Sequence, residues 1–435
     1  MKSYQSWGRY PKVQQQQAYL FPWRDEFLPE TAPKKILPYG QGRSYGDVCL
    51  NEGGILIDTC RLRHFIAFDS EQGLITCESG VTLKEILAFS VPQGFFLPTT
   101  PGTQFITLGG AIANDVHGKN HHRAGTLGCH ILQFELLRST GERFICSPTQ
   151  NQPWFKATIG GLGLTGLITW AQLRLTRIAS PLIEMESIRF RNLEEFFILS
   201  SESDEKFEHT VSWIDCLARG DALGRGIFMR GNFSKEAFIP QKSFKKKTWI
   251  VPCNAPNFAL NALSIRSFNF CYYHRQWRKI ERKRVHYAPF FYPLDSIEAW
   301  NRIYGKRGFF QYQFVVPYEG DAGPIREILD RIACSKMGSF LAVLKTFGAI
   351  QSPGILSFPR PGITLALDFP NQGKRSLDLF SQMDKIVAAH QGVVYPAKDA
   401  RMSAAHFQQF FPSWKELSTF QDPQFSSNFW RRVTS

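Results

Sequence analysis

The segment Pro101-Gly-Thr-Gln-Phe-Ile-Thr-Leu-Gly-Gly-Ala-Ile-Ala-Asn-Asp-Val-His-Gly-Lys-Asn120 sets the tightest limit on what this chain can fold into. Gly102, Gly109, Gly110 and Gly118 surround a short apolar run, with Asn114, Asp115 and His117 near its end. Lacking a Cβ, glycine lets backbone N–H groups approach an anion, and successive N–H groups in a bend form a concave nest. The hydroxyls of Thr103 and Thr107 add donors. The segment therefore reads as a dinucleotide phosphate cradle with a polar group, His117, delivered near the reactive ring. Two further glycine-rich segments flank it, Pro38-Tyr-Gly-Gln-Gly-Arg-Ser-Tyr-Gly-Asp47 and Gly160-Gly-Leu-Gly-Leu-Thr-Gly166. Three such turns, separated by strand-like runs, point to a large bound cofactor.

The last of these turns contains a G-x-G-x-x-G pattern, Gly161–Gly166. A Rossmann fingerprint must follow a strand and open a helix, so that the helix N-terminus faces the pyrophosphate. Here the order is reversed. Asn151–Ile159 has the pattern of a short helix, and Leu167–Leu175 that of a strand. Other strands are predicted at Ile55–Asp58, Leu74–Cys77 and Phe309–Val316, and helices at Thr82–Phe89 and Ile325–Cys334. Thr82 with Glu85 three residues on forms a capping box. The predicted class is α+β with two domains, residues 1–178 and 179–392.

A chain of 435 residues exceeds one ordinary core, and 43% apolar content argues against global disorder. The nine cysteines are scattered without a C-x-x-C pair, which favours reduced thiols in the cytoplasm. The first residues carry no apolar signal core, and no apolar run reaches the ~20 residues of a spanning helix. Charge is concentrated: between Lys242 and Arg284, eleven Lys/Arg against Glu281 supply +10 of the net +14. Phe244, Trp249, Phe258, Phe268, Phe270, Tyr272, Tyr273 and Trp277 are interleaved with them. A solvated loop, a membrane-docking surface and a nucleic-acid site all fit this pattern. Nucleic-acid binding leaves the glycine turns unexplained. The spacing of His117 and His121 fits a zinc ligand pair on a helix, but Gly118 and Lys119 spoil such a face and no metal is predicted.

Gly42-Arg-Ser-Tyr-Gly-Asp47, Pro101–His122, Gly161–Gly166, Gln311–Pro317, Phe340–Phe347 and Tyr395-Pro-Ala-Lys-Asp399 occur in the order found in a known family. Through them the chain resembles the vanillyl-alcohol-oxidase (PCMH-type) FAD-binding flavoproteins and, within these, the decaprenylphosphoryl-ribose 2-oxidase subfamily. The resemblance implies a PCMH-type FAD-binding domain, 1–178 completed by 393–435, and a substrate domain built on an antiparallel sheet. It implies oxidation of the 2-hydroxyl of a polyprenyl-phosphate ribose to a 2-keto sugar, which a separate NAD(P)H-dependent short-chain reductase completes. An oxidase of alditols or aldonolactones on the same fold is the alternative.

The implied cofactor-binding set is Gly40, Gly42, Arg43, Ser44, Tyr45, Gly46, Gly102, Thr107, Gly109, Gly110, Asn114, His117, Ile168 and Tyr395. Lys398 is the first catalytic candidate, as a base or as an anion stabiliser, and His117 the second. Substrate contacts fall to Tyr45, Trp213, Gln313, Lys345, Phe347, Thr364 and Lys398; Gln311, Ala366 and Asp368 alternate onto the same strand faces. Two departures stand out. Mycobacterial members carry Asn and Cys where this chain has Thr364 and Ala366, so thiol-trapping inhibitors lack their target. Arg43 precedes Ser44 where many oxidases of the superfamily tether FAD through histidine, so the FAD is expected to be non-covalent. A polyprenyl-phosphate substrate further implies peripheral contact with the inner face of the cytoplasmic membrane.

Overall fold

The computed structural model describes residues 3–14, 16–236, 249–318, 320 and 322–435. Lys242, Phe244 and the lysines at 245–247 of the basic segment lie outside the described residues. The fold is α+β and rests on three sheets. A parallel one joins Gln17–Leu20, Ile55–Asp58 and Ile36–Tyr39. A five-stranded antiparallel one runs in the order Phe65–Asp69, Leu74–Glu78, Leu167–Arg174, Ile131–Leu137, Arg143–Cys146. An eight-stranded antiparallel one orders Ile280–His286, Leu182–Phe190, Gly226–Phe233, His209–Ile214, Ala342–Phe347, Gly362–Pro370, Phe309–Val316 and Val393–Val394.

The local signals act where the sequence places them. Thr82 caps the helix Leu83–Ser90 through a complete box with Glu85. Helix Gln152–Thr158 precedes the G-x-G-x-x-G turn and strand Leu167–Arg174 follows it, the reverse of a Rossmann unit. In the large sheet, period-two alternation sends Tyr312, Phe314, Leu344, Leu365 and Leu367 to one side. There they pack with Ile325, Ile328, Ile332, Phe380 and Met383 of helices Gly323–Ser335 and Lys374–Ala389. The other side of the central strands is left for a cavity.

The chain's last residues return to its first turn. Ile36 donates its N–H to Gln424 O and accepts from Ser426, Asn428 donates to Leu50 O, and Tyr45 donates to Ala397 O. Among the described residues no helix is long and apolar enough to cross a membrane.

Candidate active site

One cavity of about 390 Å³ lies between the glycine turns and the open face of the eight-stranded sheet. Strand register fixes what reaches it. Gln313, Ala366, Val343 and Trp213 stand directly opposite one another across four neighbouring strands, and Thr364 pairs with Lys345 in the next row. A shift of one residue would turn this whole set into the helix-packed core. All six line the cavity, as do Gln311, Tyr45 and Lys398.

On the opposite wall are Gly40, Gly42, Arg43, Ser44, Gly102, Thr107, Gly109, Gly110, Asn114, His117, Ile168 and Tyr395. The donors differ from the sequence expectation. Gly109 gives its N–H to Ser79 O, and Gly110 to the Thr107 hydroxyl, which caps the helix Leu108–Ala113. These amides are spent inside the protein. The Gly42, Arg43 and Ser44 amides have no acceptor among the described residues, and Gly42 has a φ of +59°. That turn therefore offers free donors. Gly46 is not on the wall: a Cβ there would lie 1.6 Å from the Asp399 carbonyl oxygen, so its glycine serves chain packing.

His117 sits in a full set of contacts. Lys345 Nζ is 3.0 Å from its Nδ1 and the Gln313 amide nitrogen 3.1 Å from its Nε2. Burial, with Lys345, His121 and Lys398 nearby, holds its pKa well below the usual histidine value, so the ring is neutral. A neutral imidazole has one N–H, so its two ring nitrogens divide one donor and one acceptor role between Lys345 and Gln313. Neither ring nitrogen is left for a substrate. Phe347, expected on the wall, instead packs behind this ring at 4.8 Å between centroids.

Three lysines line the cavity: Lys119, which burial lowers to about 7, Lys345 and Lys398. Burial, reinforced by Lys119 and Lys398, lowers Lys345 to about 7. Burial lowers Lys398 to about 8, against the opposing pull of Asp368. The Lys398 ammonium lies 4.1 Å over the Tyr45 ring. Asp368 is fully buried, takes a 2.6 Å hydrogen bond from Gln311 and is raised by burial to about 7. Three polar atoms on the wall are buried without a partner among the described residues: Asn114 Oδ1, Ser79 Oγ and Ser212 Oγ. Such atoms cost free energy unless a ligand meets them, and this fits a large polar cofactor. Ser79, Ser212, Val343 and Tyr272 line the cavity beyond the sequence expectation; their residue types alone carry no signal for it.

Residues 30–147 match the FAD binding domain family. The chain is 34% identical to a decaprenylphosphoryl-β-D-ribose oxidase of Mycolicibacterium smegmatis, over 93% of this chain and 90% of that protein. It is 29% identical to an uncharacterised protein of Streptomyces coelicolor, over 81% of this chain and all of the relative. A D-lactate dehydrogenase of Anaerostipes hadrus is 24% identical over 33% of this chain and 31% of its own length.

Proposed function

This chain belongs to the decaprenylphosphoryl-β-D-ribose oxidase family of FAD-dependent oxidoreductases, and from that premise we propose that it oxidises the 2-hydroxyl of a polyprenyl-phosphate ribose, or a similar glycosyl phosphate, to the 2-keto sugar. In this reading residues 1–178 with 393–435 hold FAD and 179–392 hold the substrate. The observation that carries it is the meeting, in one cavity, of the Gly40–Ser44 turn with the half-buried lysines Lys345 and Lys398, both of lowered pKa. The turn's amides and Arg43 suit a pyrophosphate, and the unpartnered Asn114 Oδ1 suits a cofactor donor. FAD held by these residues would supply the hydride acceptor for C2 of the sugar.

The remaining chemistry belongs to side chains. The hydroxyl proton must leave as C2 loses its hydride, and Lys398 with a pKa near 8 is the group that takes it. His117 holds Lys345 and Gln313 in place, and those two with Thr364 bind the sugar and its phosphate. Arg43 cannot form a flavin bond, so FAD is held without a covalent tether; flavin colour remaining with acid-precipitated protein would refute this. A separate NAD(P)H-dependent reductase would consume the keto sugar, and the enzyme would work in the cytoplasm against the membrane that holds its substrate. The test is anaerobic titration of the purified yellow protein with polyprenyl-phosphate ribose. Bleaching with this substrate and not with free alditols or lactones is the expected result; the opposite pattern assigns the chain to the soluble-sugar oxidases.

A further inference from the structure

Eight of the 17 exposed large apolar side chains among the described residues lie between Trp249 and Ile280. The helix Ala262–His274 is their centre. Ile265, Asn269 and Tyr273 face inward, while Leu263, Arg266, Ser267, Phe270 and His274 form the outward stripe. Leu263 is 76% exposed, Phe270 56%, Phe258 just before the helix 79% and Trp277 just after it 89%. Exposed apolar side chains concentrated in one segment of a strongly charged chain call for an occupant.

The surrounding charges discriminate among occupants. Of the seven described Lys/Arg from Trp249 to Arg284, four are ion-paired within the protein: Lys279 with Glu195, Arg282 with Glu186, Lys283 with Glu281 and Arg284 with Glu236. Among the described residues a continuous basic track for a phosphate backbone is thereby broken. Arg266, Arg275 and Arg278 make no ion pair among the described residues and stand beside the exposed rings. Aromatic side chains with flanking arginines match the headgroup layer of an anionic bilayer. A second copy is disfavoured by the repulsion of two chains of net charge +14.

The same helix also reaches the cavity. Phe268 stacks on Tyr272 at 5.7 Å, and Tyr272 meets Trp213 at 4.5 Å; both Tyr272 and Trp213 line the cavity. A second line of rings runs from Phe268 through Phe340 and Tyr304 to the wall residue Trp300. We infer that the outward face of Ala262–His274, with Phe258 and Trp277 at its ends, docks on an anionic lipid bilayer, and that the Phe268–Tyr272–Trp213 path receives the prenyl chain. The second part rests on the proposed lipid-linked substrate; the first does not.

The test uses the full-length FAD-loaded protein and flotation with phosphatidylglycerol/phosphatidylethanolamine vesicles, with phosphatidylcholine vesicles as control. The variant Leu263→Ser/Phe270→Ser/Trp277→Ser touches no wall residue. It should bind anionic vesicles about tenfold more weakly and raise KM for vesicle-borne substrate about tenfold. Turnover of a short-chain, water-soluble analogue should be unchanged. Arg266→Gln/Arg278→Gln should remove the salt-sensitive part of binding. Docking is overturned if the wild type fails to float, if the triple variant floats equally well, or if the variant instead abolishes a dimer or oligonucleotide binding. Floating protein whose flavin no polyprenyl sugar reduces would sink the proposed reaction and leave the docking intact.

Discussion

Lys398 is the residue on which the proposed chemistry depends most. It is half-buried at a cavity wall, its side-chain nitrogen lies over Tyr45, and its pKa is about 8. The neutral amine that can accept a proton therefore gains population as pH rises through 8. The expected profile is a kcat/KM for flavin reduction that climbs from pH 7 to 9; a fall over that range would make Lys398 a charged stabiliser of the developing anion instead. Lys398→Met should slow flavin reduction by about 10²–10⁴-fold while the bound-flavin spectrum persists. Ala366 offers a second test at the same scale. It lines the cavity opposite Gln313 and carries no nucleophile, so thiol-trapping inhibitors should leave the enzyme active after prolonged incubation and dialysis. Ala366→Cys should make the loss of activity irreversible and add the inhibitor mass at that residue, without a large change in turnover.

At the scale of elements, the cradle is two turns that lean on each other. A Cβ at position 40 would lie 2.4 Å from Thr107 Oγ1, the atom that caps helix Leu108–Ala113. Gly40→Ala must push that cap away, so FAD affinity should fall by at least about tenfold, with helix stability reduced by ~1 kcal/mol, the usual worth of such a cap. Flavin fluorescence titration and thermal unfolding separate the two effects. Much of this scale is legible in the sequence, because its causes are local. Glu85 three residues after Thr82 specifies a cap wherever the chain goes, and alternation in Phe309–Val316 specifies a strand with two unlike faces. What is not legible is which neighbour a face meets. Phe347 alternates with Lys345 and shares its strand face, yet it packs against the ring of His117 and does not line the cavity. Ser79 and Ser212 become informative only when folding leaves their hydroxyls buried and unpartnered. The spent amides of Gly109 and Gly110 show the same limit, since a glycine pattern permits a nest without saying whose carbonyls fill it first.

For the whole molecule, the decisive feature is that the ends of the chain hold the site together. Asp47, at the end of the first glycine turn, and Asp399, next to Lys398, both bind the guanidinium of Arg432, at 2.7 and 3.0 Å. Both carboxylates are almost fully buried, whereas Arg432 remains partly exposed. Burial pushes Asp399 upward, but Arg432 and Arg401, with the Met402 and Arg401 amides, hold it below the usual carboxylate range. Its contribution is thus present above the unfolded value near 3.8 and is lost as pH falls through the still lower folded value. Removing the cation is a different matter, because it strands two buried carboxylates. Arg432→Gln should cost about 3 kcal/mol by urea unfolding at pH 7. Because Lys398 is adjacent to Asp399 and the Gly40–Ser44 turn to Asp47, the same variant should also release FAD more readily. An Arg432→Gln protein that keeps wild-type stability and wild-type flavin retention would show that the return of residues 393–435 is held by its aromatic packing, with Phe407, Phe429 and Trp430, and not by this cluster.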